Sequence, residues 1–162
     1  MKILVTYYSL DGNTHYLAEG IAECLDADLL RLMPVKDIRN NKTKYLFGGR
    51  QAVTKKKPDL LPFDKNPEEY DMIIIGTPVW ASTMTPAVRS FLSNSKFAGK
   101  KIGLFCCCRS NQGKAITHMN ELLDENDILG TIDSREPIKG VLDKKDQICK
   151  WAQGLLETAK SL

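Results

Sequence analysis

Short apolar runs alternate with amphipathic segments along the whole chain. The apolar runs occupy residues 2–8, 26–34, 71–78, 100–108 and 127–137, and each predicts a β-strand. The run at 71–78 gives the clearest signal, because three consecutive isoleucines are followed by a turn signal. This alternation of strand and helix is typical of α/β proteins.

Apolar residues between and after these strands recur at spacings of three and four, which predicts helices. The predicted apolar faces are Leu17, Ala18, Ile21, Ala22 and Leu25; Val88, Phe91 and Leu92; Ile116, Met119, Leu122 and Leu123; and Ile148, Trp151, Ala152, Leu155, Leu156 and Ala159. Thr85 is the expected N-cap of the second of these helices, with Pro86 as its first residue, and Asp143 is the expected cap of the last.

Strands that are apolar throughout, alternating with helices, indicate a parallel sheet covered on both faces. Ligands of such sheets bind beyond the C-terminal ends of the strands. Functional residues are therefore expected in the loops after the first, third and fourth strands of this order.

The composition is that of an ordinary globular protein and predicts a single domain, residues 1–162. Hydrophobic residues make up 43% and charged residues 27% of the 162 positions. No run of about 18 apolar residues is present, so no membrane-spanning helix is expected. The start of the chain, MKILVTYYS, lacks the apolar core and cleavage site of a signal peptide, which predicts a cytoplasmic protein.

The cysteines agree with a reducing compartment. None of the five lies in a C-x-x-C or zinc-ligand spacing, and Cys24 and Cys149 stand alone, so no disulfide framework is predicted. The triplet 106–108 ends an apolar run, where unpaired cysteines pack as small hydrophobic side chains. The alternative is that one of its last two members touches a cofactor or is redox-active, with Arg109 lowering the pKa of the thiol.

A polar stretch, Ser9-Leu10-Asp11-Gly12-Asn13-Thr14, lies where the first strand meets the first helix. Backbone N–H groups at a helix N-terminus have no intrahelical partner, and the helix dipole adds partial positive charge, so such a loop favours an anion, commonly a phosphate. No Lys or Arg lies within residues 7–25, so hydrogen bonds and the dipole would hold the phosphate. The alternative is an ordinary strand–helix turn capped by a Ser or Asp side chain.

Two other phosphate-binding loops are excluded. A Walker loop requires G-x-x-x-x-G-K followed by Ser or Thr, and neither Gly99-Lys100 nor Gly113-Lys114 continues in that way. The dinucleotide fingerprint G-x-G-x-x-G occurs nowhere in the chain. The phosphate hypothesis for residues 9–14 therefore depends on neither motif.

The second loop, GTPVWASTMTPAVRSFL at residues 76–92, joins the central strand to a helix. Together with S-x-D-G-N-T at residues 9–14, it resembles the flavodoxin family, whose first loop reads (S/T)-x-(T/S/D)-G-x-T and in which a strand ends in G-(S/T)-P-x-(W/Y). The resemblance covers essentially the whole chain, because element order and loop spacing also match. It implies a three-layer sandwich with a five-stranded parallel sheet in the order 2-1-3-4-5, and FMN as cofactor.

The resemblance implies three groups of cofactor-binding residues and neither a catalytic residue nor a metal ligand. The FMN phosphate would be held by Ser9, Leu10, Asp11, Gly12, Asn13 and Thr14. The isoalloxazine ring would be flanked by Thr77, Pro78, Val79, Trp80, Ala81, Ser82 and Thr83. The pyrimidine edge would be reached by the third loop, with Cys107, Cys108, Arg109, Ser110 and Gly113. Offset stacking of the Trp80 indole on the flavin suits both ring systems, and the alternative for Trp80 is a core aromatic.

The sequence departs from the family pattern at three points. Asp11 places a carboxylate where many relatives have a neutral Thr. In this respect the loop is similar to that of the menaquinone-linked protoporphyrinogen oxidases, which have S-x-D-G-x-T. All five tyrosines precede residue 71, so the third loop lacks the Tyr that carrier flavodoxins often stack on the other ring face. The net charge is +3, whereas carrier flavodoxins are usually acidic. The first two departures favour an enzyme with one open ring face.

The excess positive charge lies between residues 31 and 57, which are predicted to contain a helix. This basic segment holds nine Lys or Arg and one acid, Asp37, so its net charge is +8 and the rest of the chain sums to −5. A solvated helix face accounts for such a segment, and the alternative is a docking surface for an acidic partner or an anionic substrate such as NADPH. Nucleic acid is not expected, because the only aromatics there are Tyr45 and Phe47 and no recognition motif is present.

Two histidines and the remaining polar residues give no indication of hydrolysis. His15 and His118 are isolated on predicted helices, where surface or capping roles are expected, although His15 could form a hydrogen bond near the cofactor. No Ser-His-Asp set, metal cluster or pair of carboxylates is visible in the sequence.

The resemblance implies an FMN redox protein that passes electrons between a reductase and an acceptor. The alternative is an NAD(P)H-dependent FMN oxidoreductase on the same fold, either a quinone reductase or a protoporphyrinogen-oxidase-like enzyme. The expected partners are a redox protein or a small acceptor, with NAD(P)H in the second case, and the chain is expected to be a monomer or a homodimer. A flavin-free receiver module is disfavoured, because Ile75-Gly76-Thr77 stands where receivers need an Asp.

Overall fold

Strands and helices alternate along the chain as the pattern predicts. The computed structural model describes residues 1–37, 44–95, 98–135 and 142–162, without the side chains of residues 44–46, 142 and 143. The strands are β1 (Ile3–Tyr7), β2 (Asp28–Arg31), β3 (Met72–Pro78), β4 (Lys101–Cys108) and β5 (Asp127–Arg135). The α-helices are α1 (Asn13–Leu25), α2 (Lys44–Val53), α3 (Pro86–Asn94), α4 (Ala115–Asn120) and α5 (Leu142–Ser161), and a 3₁₀ helix spans Pro67–Glu69.

The strands form a parallel sheet in the order β2-β1-β3-β4-β5, which confirms the predicted fold class. Tyr7 is aligned with Gly76, and Pro78 with Cys107. The loops that follow β1, β3 and β4 therefore leave the sheet side by side. The strand order reverses between β1 and β3, which is the position where open α/β sheets bind their ligands.

Alternate residues of each central strand pack on opposite faces of the sheet. Ile3, Val5 and Tyr7 of β1 belong to the core that α1 and α5 cover. Leu4 and Tyr8 belong to the other core, which α3 and α4 cover. Because side chains alternate along a strand, a strand buried on both faces needs apolar residues at nearly every position. This explains the unbroken apolar runs in the sequence.

Gly76 is required by its neighbour on β4. A Cβ atom at this position would lie 2.1 Å from Cζ of Phe105, far closer than any real contact. The Phe105 ring therefore lies directly against the Gly76 backbone. The glycine that begins the G-T-P-V-W motif therefore has a packing role inside β3, two residues before the strand ends.

The structure corrects several predicted boundaries. β2 is shorter than residues 26–34, and residues 136–137 of the last predicted strand lie outside the described residues. α5 begins at Leu142, so Asp143 is not its N-cap. α4 ends at Asn120, because the N–H groups of the next two leucines bond to carbonyl groups three residues earlier, and such 3₁₀-type bonds end the helix. Leu123 is still buried, although it lies beyond the helix.

A disulfide that the cysteine spacing did not predict joins two helices. Cys24 of α1 and Cys149 of α5 are bonded, with 5.8 Å between their Cα atoms. The two positions meet because α1 and α5 lie side by side on one face of the sheet, 125 residues apart in sequence. The cysteines therefore no longer support a reducing compartment. The cytoplasmic location remains a prediction.

The basic segment contains the expected helix, α2. Arg39 and Lys42 of this segment lie outside the described residues, and Lys44 is described only as backbone. Within the described part of the chain, no helix combines the length and the hydropathy that crossing a membrane requires.

Candidate functional site

The loops after β1, β3 and β4 enclose a cleft of about 320 Å³, a size suited to a small-molecule ligand. It is lined by Ser9, Leu10, Asp11, Asn13, Thr14, Gly49, Pro78, Val79, Trp80, Ala81, Cys107, Cys108 and Arg109. Among the described residues, twelve of the eighteen predicted site residues thus line one cleft. The other six, described below, are Gly12, Thr77, Ser82, Thr83, Ser110 and Gly113.

The first loop leaves the N-terminus of α1 uncapped. Gly12 is the N-cap residue, with φ at 88°, and no side chain caps the helix. The N-cap residue of α1 is therefore Gly12 and neither a Ser nor an Asp. Gly12 does not line the cleft, but this left-handed backbone conformation favours glycine. The dipole of α1 gives this end of the helix partial positive charge, which favours an anion, and no acidic residue lies in the first turn.

Two buried hydroxyl groups of this loop lack a partner. Ser9 and Thr14 each expose 1% of their surface, and neither Oγ of Ser9 nor Oγ1 of Thr14 has a hydrogen-bond partner among the described residues. A buried hydroxyl without a partner costs about 1–3 kcal/mol. Both residues line the cleft. The arrangement is consistent with a ligand that accepts hydrogen bonds at this end of the cleft.

A cation from outside the loop lies beside it. The guanidinium of Arg31, at the end of β2, donates a hydrogen bond of 2.8 Å to the Ser9 carbonyl. The sequence places no Lys or Arg within residues 7–25, so this charge was missed. The sheet brings it there because β2 pairs with β1, with Arg31 aligned to Tyr7.

The second loop turns through two residues with left-handed backbone. Trp80 and Thr83 exchange backbone hydrogen bonds of 2.9 and 3.0 Å, and between them Ala81 and Ser82 have φ values of 47° and 62°. Positive φ at both central residues is the pattern of a type I′ turn, which usually contains Asn or Gly. With Ala and Ser in these positions the turn is strained by about 1–3 kcal/mol per residue. Such strain persists only where neighbouring groups hold the turn in place.

The groups that hold this turn come from α3, α4 and the third loop. The hydroxyl of Thr83 lies 2.7 Å from Nδ1 of His118, and Arg89 donates to it at 3.4 Å. The Lys114 amide donates to the Ser82 carbonyl at 2.7 Å. A Cβ atom at Gly113 would lie 2.7 Å from Ser82, so glycine is needed there. Ser82, Thr83 and Gly113 support the wall of the cleft and do not line it.

Thr77 also acts behind the wall. It is fully buried, and its hydroxyl accepts a hydrogen bond of 3.1 Å from the Thr85 amide and donates one of 2.9 Å to the Pro78 carbonyl. This network fixes the end of β3 and the start of α3. Thr85 is the N-cap of α3 as expected, but its side chain does not cap the helix. Ser110 is exposed and lies outside the cleft lining.

Trp80 forms one wall of the cleft and is partly buried. Its ring meets the edge of Tyr8, with 5.6 Å between ring centroids and an interplanar angle of 90°. The Tyr8 hydroxyl donates to Asp37 at 2.7 Å. Among the described lining residues Trp80 is the only aromatic, so a flat ligand would have one aromatic face to stack on.

Gly49 of α2 also lines the cleft and was missed. A Cβ atom here would lie 3.6 Å from Cβ of Ala81, so α2 packs against the strained turn. The adjacent glycines 48 and 49 were the available signal, because two glycines in a helix are costly unless a close approach needs them.

The third loop brings two buried thiols and Arg109 to the cleft. Burial raises the pKa of the Cys107 thiol to about 12. Burial and the Asp133 carboxylate raise the pKa of Cys108. The alternative in which Arg109 lowers the pKa of one of these thiols is therefore wrong, because the pKa of each is raised. Cys106 packs at full burial behind them.

The two histidines have structural partners. Nδ1 of His15 lies 2.5 Å from the Tyr7 hydroxyl, and its Nε2 lies 3.3 Å from Glu19. The Tyr7 and His15 rings are stacked, with 5.5 Å between centroids. Burial raises the pKa of Tyr7. His118 supports the second loop through Thr83, as described above.

The fold and the cleft together define a class: an α/β protein with a parallel sheet in the order 2-1-3-4-5 and a ligand cleft at its switch point. A sequence model of the flavodoxin family, described as Flavodoxin, matches residues 2–153. The chain therefore belongs to the flavodoxin family. No curated protein gives a significant match.

Several solved structures have the same fold. A flavoprotein in complex with FMN from Lactobacillus acidophilus NCFM is 23% identical, with a TM-score of 0.71 over 86% of this chain and 97% of that one. The flavodoxin, WrbA-like protein from Agrobacterium tumefaciens is 17% identical, with a TM-score of 0.66 over 99% and 98%. Oxidised flavodoxin 1 from Bacillus cereus is 17% identical, with a TM-score of 0.63 over 97% and 98%.

Proposed function

We propose that the protein binds FMN in this cleft and passes electrons between a reductase and an acceptor. One observation carries the proposal: the N-terminal end of α1 lies, with the hydroxyls of Ser9 and Thr14 that have no partner among the described residues, at the same cleft as Trp80. A phosphate group and a flat ring system on one ligand fit these two ends. Family membership and the FMN-bound relative agree with this choice of ligand.

The flavin, when bound, supplies the redox chemistry, and the chain's own residues bind and orient it. The amides of α1 and the hydroxyls of Ser9 and Thr14 would donate hydrogen bonds to the phosphate. Arg31 adds positive charge beside that loop. Trp80 and the backbone of the strained turn would position the ring and keep water from one face. No side chain is needed to move a proton.

Selectivity for the phosphate group directly tests whether the first loop and the start of α1 bind a phosphate. Riboflavin has the ring of FMN without the phosphate, so wild-type protein should bind FMN much more tightly than riboflavin. Ser9→Ala should weaken FMN binding by about tenfold, the loss of one charge-assisted hydrogen bond, and leave riboflavin binding unchanged. Ser93→Ala is the matched control, because its hydroxyl is also buried without a partner but lies outside the cleft lining. Equal wild-type affinity for the two flavins would refute the assignment.

An NAD(P)H-dependent FMN oxidoreductase is the second candidate. It is favoured by the part of the lining that comes from β4 and the third loop, which among the described residues contributes Cys107, Cys108 and Arg109 and no aromatic side chain. A second planar molecule, such as a nicotinamide or a quinone, could then reach the open ring face.

Anaerobic absorbance spectra distinguish the two candidates. FMN-loaded protein is mixed with NADPH under anaerobic conditions. A carrier stays yellow until a separate reductase is added, whereas an oxidoreductase bleaches at once. Light scattering supplies the size of the particle, since the enzymes on this fold are more often dimers.

A further inference from the structure

The segment between β2 and β3 presents an exposed apolar surface with positive charge at its border. We define the α2 surface as the exposed residues Met33, Val35, Lys36, Phe47, Arg50, Val53, Lys55, Lys56, Lys57 and Leu61. Nine large hydrophobic residues are exposed in the described part of the chain, and six of them lie within residues 33–63. The remaining three are Met1, Leu162 and Leu122, which are scattered. This concentration of apolar side chains marks an interaction surface.

One half of the surface is an extended ribbon. Residues 34 and 60 form an antiparallel bridge, and Leu61 donates a backbone hydrogen bond of 2.7 Å to Met33. Pro34 is buried and Leu60 packs against the core, so their neighbours face outward because side chains alternate along a strand. Met33, Val35 and Leu61 are 49%, 56% and 43% exposed.

The other half is the outer face of α2. Gly48 and Ala52 of this helix are buried, whereas Phe47 and Val53 are 53% and 63% exposed and Arg50 is exposed between them. Pro34 and Lys36 share a crevice with Gln51 of α2. The ribbon and the helix therefore form one continuous surface.

The cations of the α2 surface form no ion pair with other described residues. Lys36, Arg50 and residues 55–57 are all exposed. Of the nearby acids, Asp37 accepts the hydrogen bond of Tyr8. A surface that combines exposed apolar side chains with cations complements an acidic partner.

The surface also adjoins the cleft. Gly49, one turn of α2 from Val53, lines the cleft and packs against Ala81. We propose that the α2 surface docks an acidic redox protein and brings its redox centre to the edge of the cleft. The partner class rests on the proposed FMN function, whereas the surface itself does not.

Two other occupants fit less well. A nucleotide such as NADPH needs a deep pocket, and the crevice between the ribbon and α2 holds only about 10 Å³. A second copy of the chain would place the same cations opposite each other in a two-fold contact. An acidic protein faces neither obstacle.

The probe for the test is an oxidised, acidic 2Fe–2S ferredoxin, with a basic c-type cytochrome as its opposite in charge. Each is titrated into isotopically labelled protein at low ionic strength, with and without FMN, and amide NMR signals are followed. The ferredoxin should shift or broaden signals of Arg50, Val53, Lys56 and Leu61, the cytochrome should not, and added salt should weaken binding. Binding to flavin-free protein separates this result from any failure of the FMN proposal.

Charge-reversal variants supply the matched comparison. Lys56→Glu with Lys57→Glu should weaken ferredoxin binding by about tenfold or more. Lys150→Glu with Lys160→Glu makes the same change in net charge on exposed positions of α5 and should change binding less than about twofold. Phe47→Ser tests the apolar part and should also weaken binding.

Three outcomes would overturn the proposal. Equal effects of the two charge pairs would show a response to net charge alone. Absence of ferredoxin binding at low salt, with a folded spectrum, would show that the surface does not accept an acidic protein. A dimer in light scattering that Phe47→Ser dissociates would assign the surface to a second copy.

Discussion

Single residues behind the cleft wall determine its shape as much as those that line it. Thr83 is 6% exposed, and its hydroxyl joins His118 of α4 to Arg89 of α3. Arg89 is itself buried, burial lowers its pKa, and its Nε has no partner among the described residues. This small polar network is what keeps Ala81 and Ser82 in left-handed conformations.

We expect Thr83→Val to lower the free energy of unfolding by about 1–3 kcal/mol, because it leaves His118 and the buried Arg89 without the hydroxyl. Thr83→Ser keeps the hydroxyl and should recover most of the loss. Urea unfolding measures both variants. Equal stability of the Val and Ser variants would show that the hydrogen bonds contribute little.

Gly76 gives a second prediction at the scale of a residue. Gly76→Ala should lower the free energy of unfolding by at least about 1–3 kcal/mol, because the new methyl group overlaps the Phe105 ring. Gly154→Ala is the control, since nothing lies within 4 Å of a Cβ atom there and alanine favours the helix. Thermal unfolding should separate the two variants, and a Gly76→Ala protein as stable as wild type would contradict the packing described.

At the scale of elements, α1 and α5 pack on the same face of the sheet and are joined by a disulfide. The disulfide between Cys24 and Cys149 lies beside Lys145, which contacts Glu23 at 3.4 Å and lies 5.1 Å from the Tyr16 ring. Gly20 of α1 packs close to the Lys145 side chain. α1 also follows directly on the first loop, residues 9–14. These contacts therefore hold in place the helix that positions this loop.

Loss of the disulfide should destabilise the protein strongly, because the bond closes a loop of 125 residues in the unfolded chain. The chain-entropy relation gives about 4–5 kcal/mol, or roughly 10–15 °C in Tm. Thermal unfolding with and without dithiothreitol measures this effect. A Cys24→Ala, Cys149→Ala variant should melt at the lower temperature and no longer respond to reductant. A wild-type Tm that ignores reductant, with free thiols confirmed, would refute the prediction.

At the scale of the molecule, buried thiol and hydroxyl groups with raised pKa values make the folded protein more stable near neutral pH than at alkaline pH. The Cys107 thiol has its pKa raised by burial to about 12 from an ordinary 9.0. The Tyr8 hydroxyl has its pKa raised by burial and by its hydrogen bond to Asp37. For a folded-state pKa above the unfolded value, the stabilising contribution is complete below the unfolded value and is lost as pH rises toward the folded one.

We therefore expect Tm to fall steadily as the pH rises from about 9 to about 12, in the window that the Cys107 shift defines. Cys107→Ala should make the decline shallower, because alanine has no proton to lose. Cys24 and Cys149 are joined in a disulfide and have no thiol proton to lose, so they do not affect the comparison of wild type with Cys107→Ala. A constant Tm across this range would show that the thiol ionises freely in the folded protein.

The sequence by itself determined the layer structure and most of the cleft. Period-two burial on both faces requires continuous apolar runs, so strands and their parallel order could be recognised from pattern and loop motifs. The loop residues that bear the motifs are local in sequence, and twelve of them do line the cleft. Small polar residues and a glycine at a strand–helix junction suit a ligand-binding loop through their local chemistry, which depends little on the rest of the fold.

Only the tertiary structure decided the contacts between distant segments. Arg31 beside Ser9, Gly49 against Ala81 and the Cys24–Cys149 bond each join residues whose spacing carries no signal. The same holds for the hydrogen bonds by which Thr77, Ser82 and Thr83 support the second loop, whereas their predicted position beside a ring stays a prediction. Side-chain direction depends on how α2, α3, α4 and α5 pack on the sheet, and local sequence does not encode that packing.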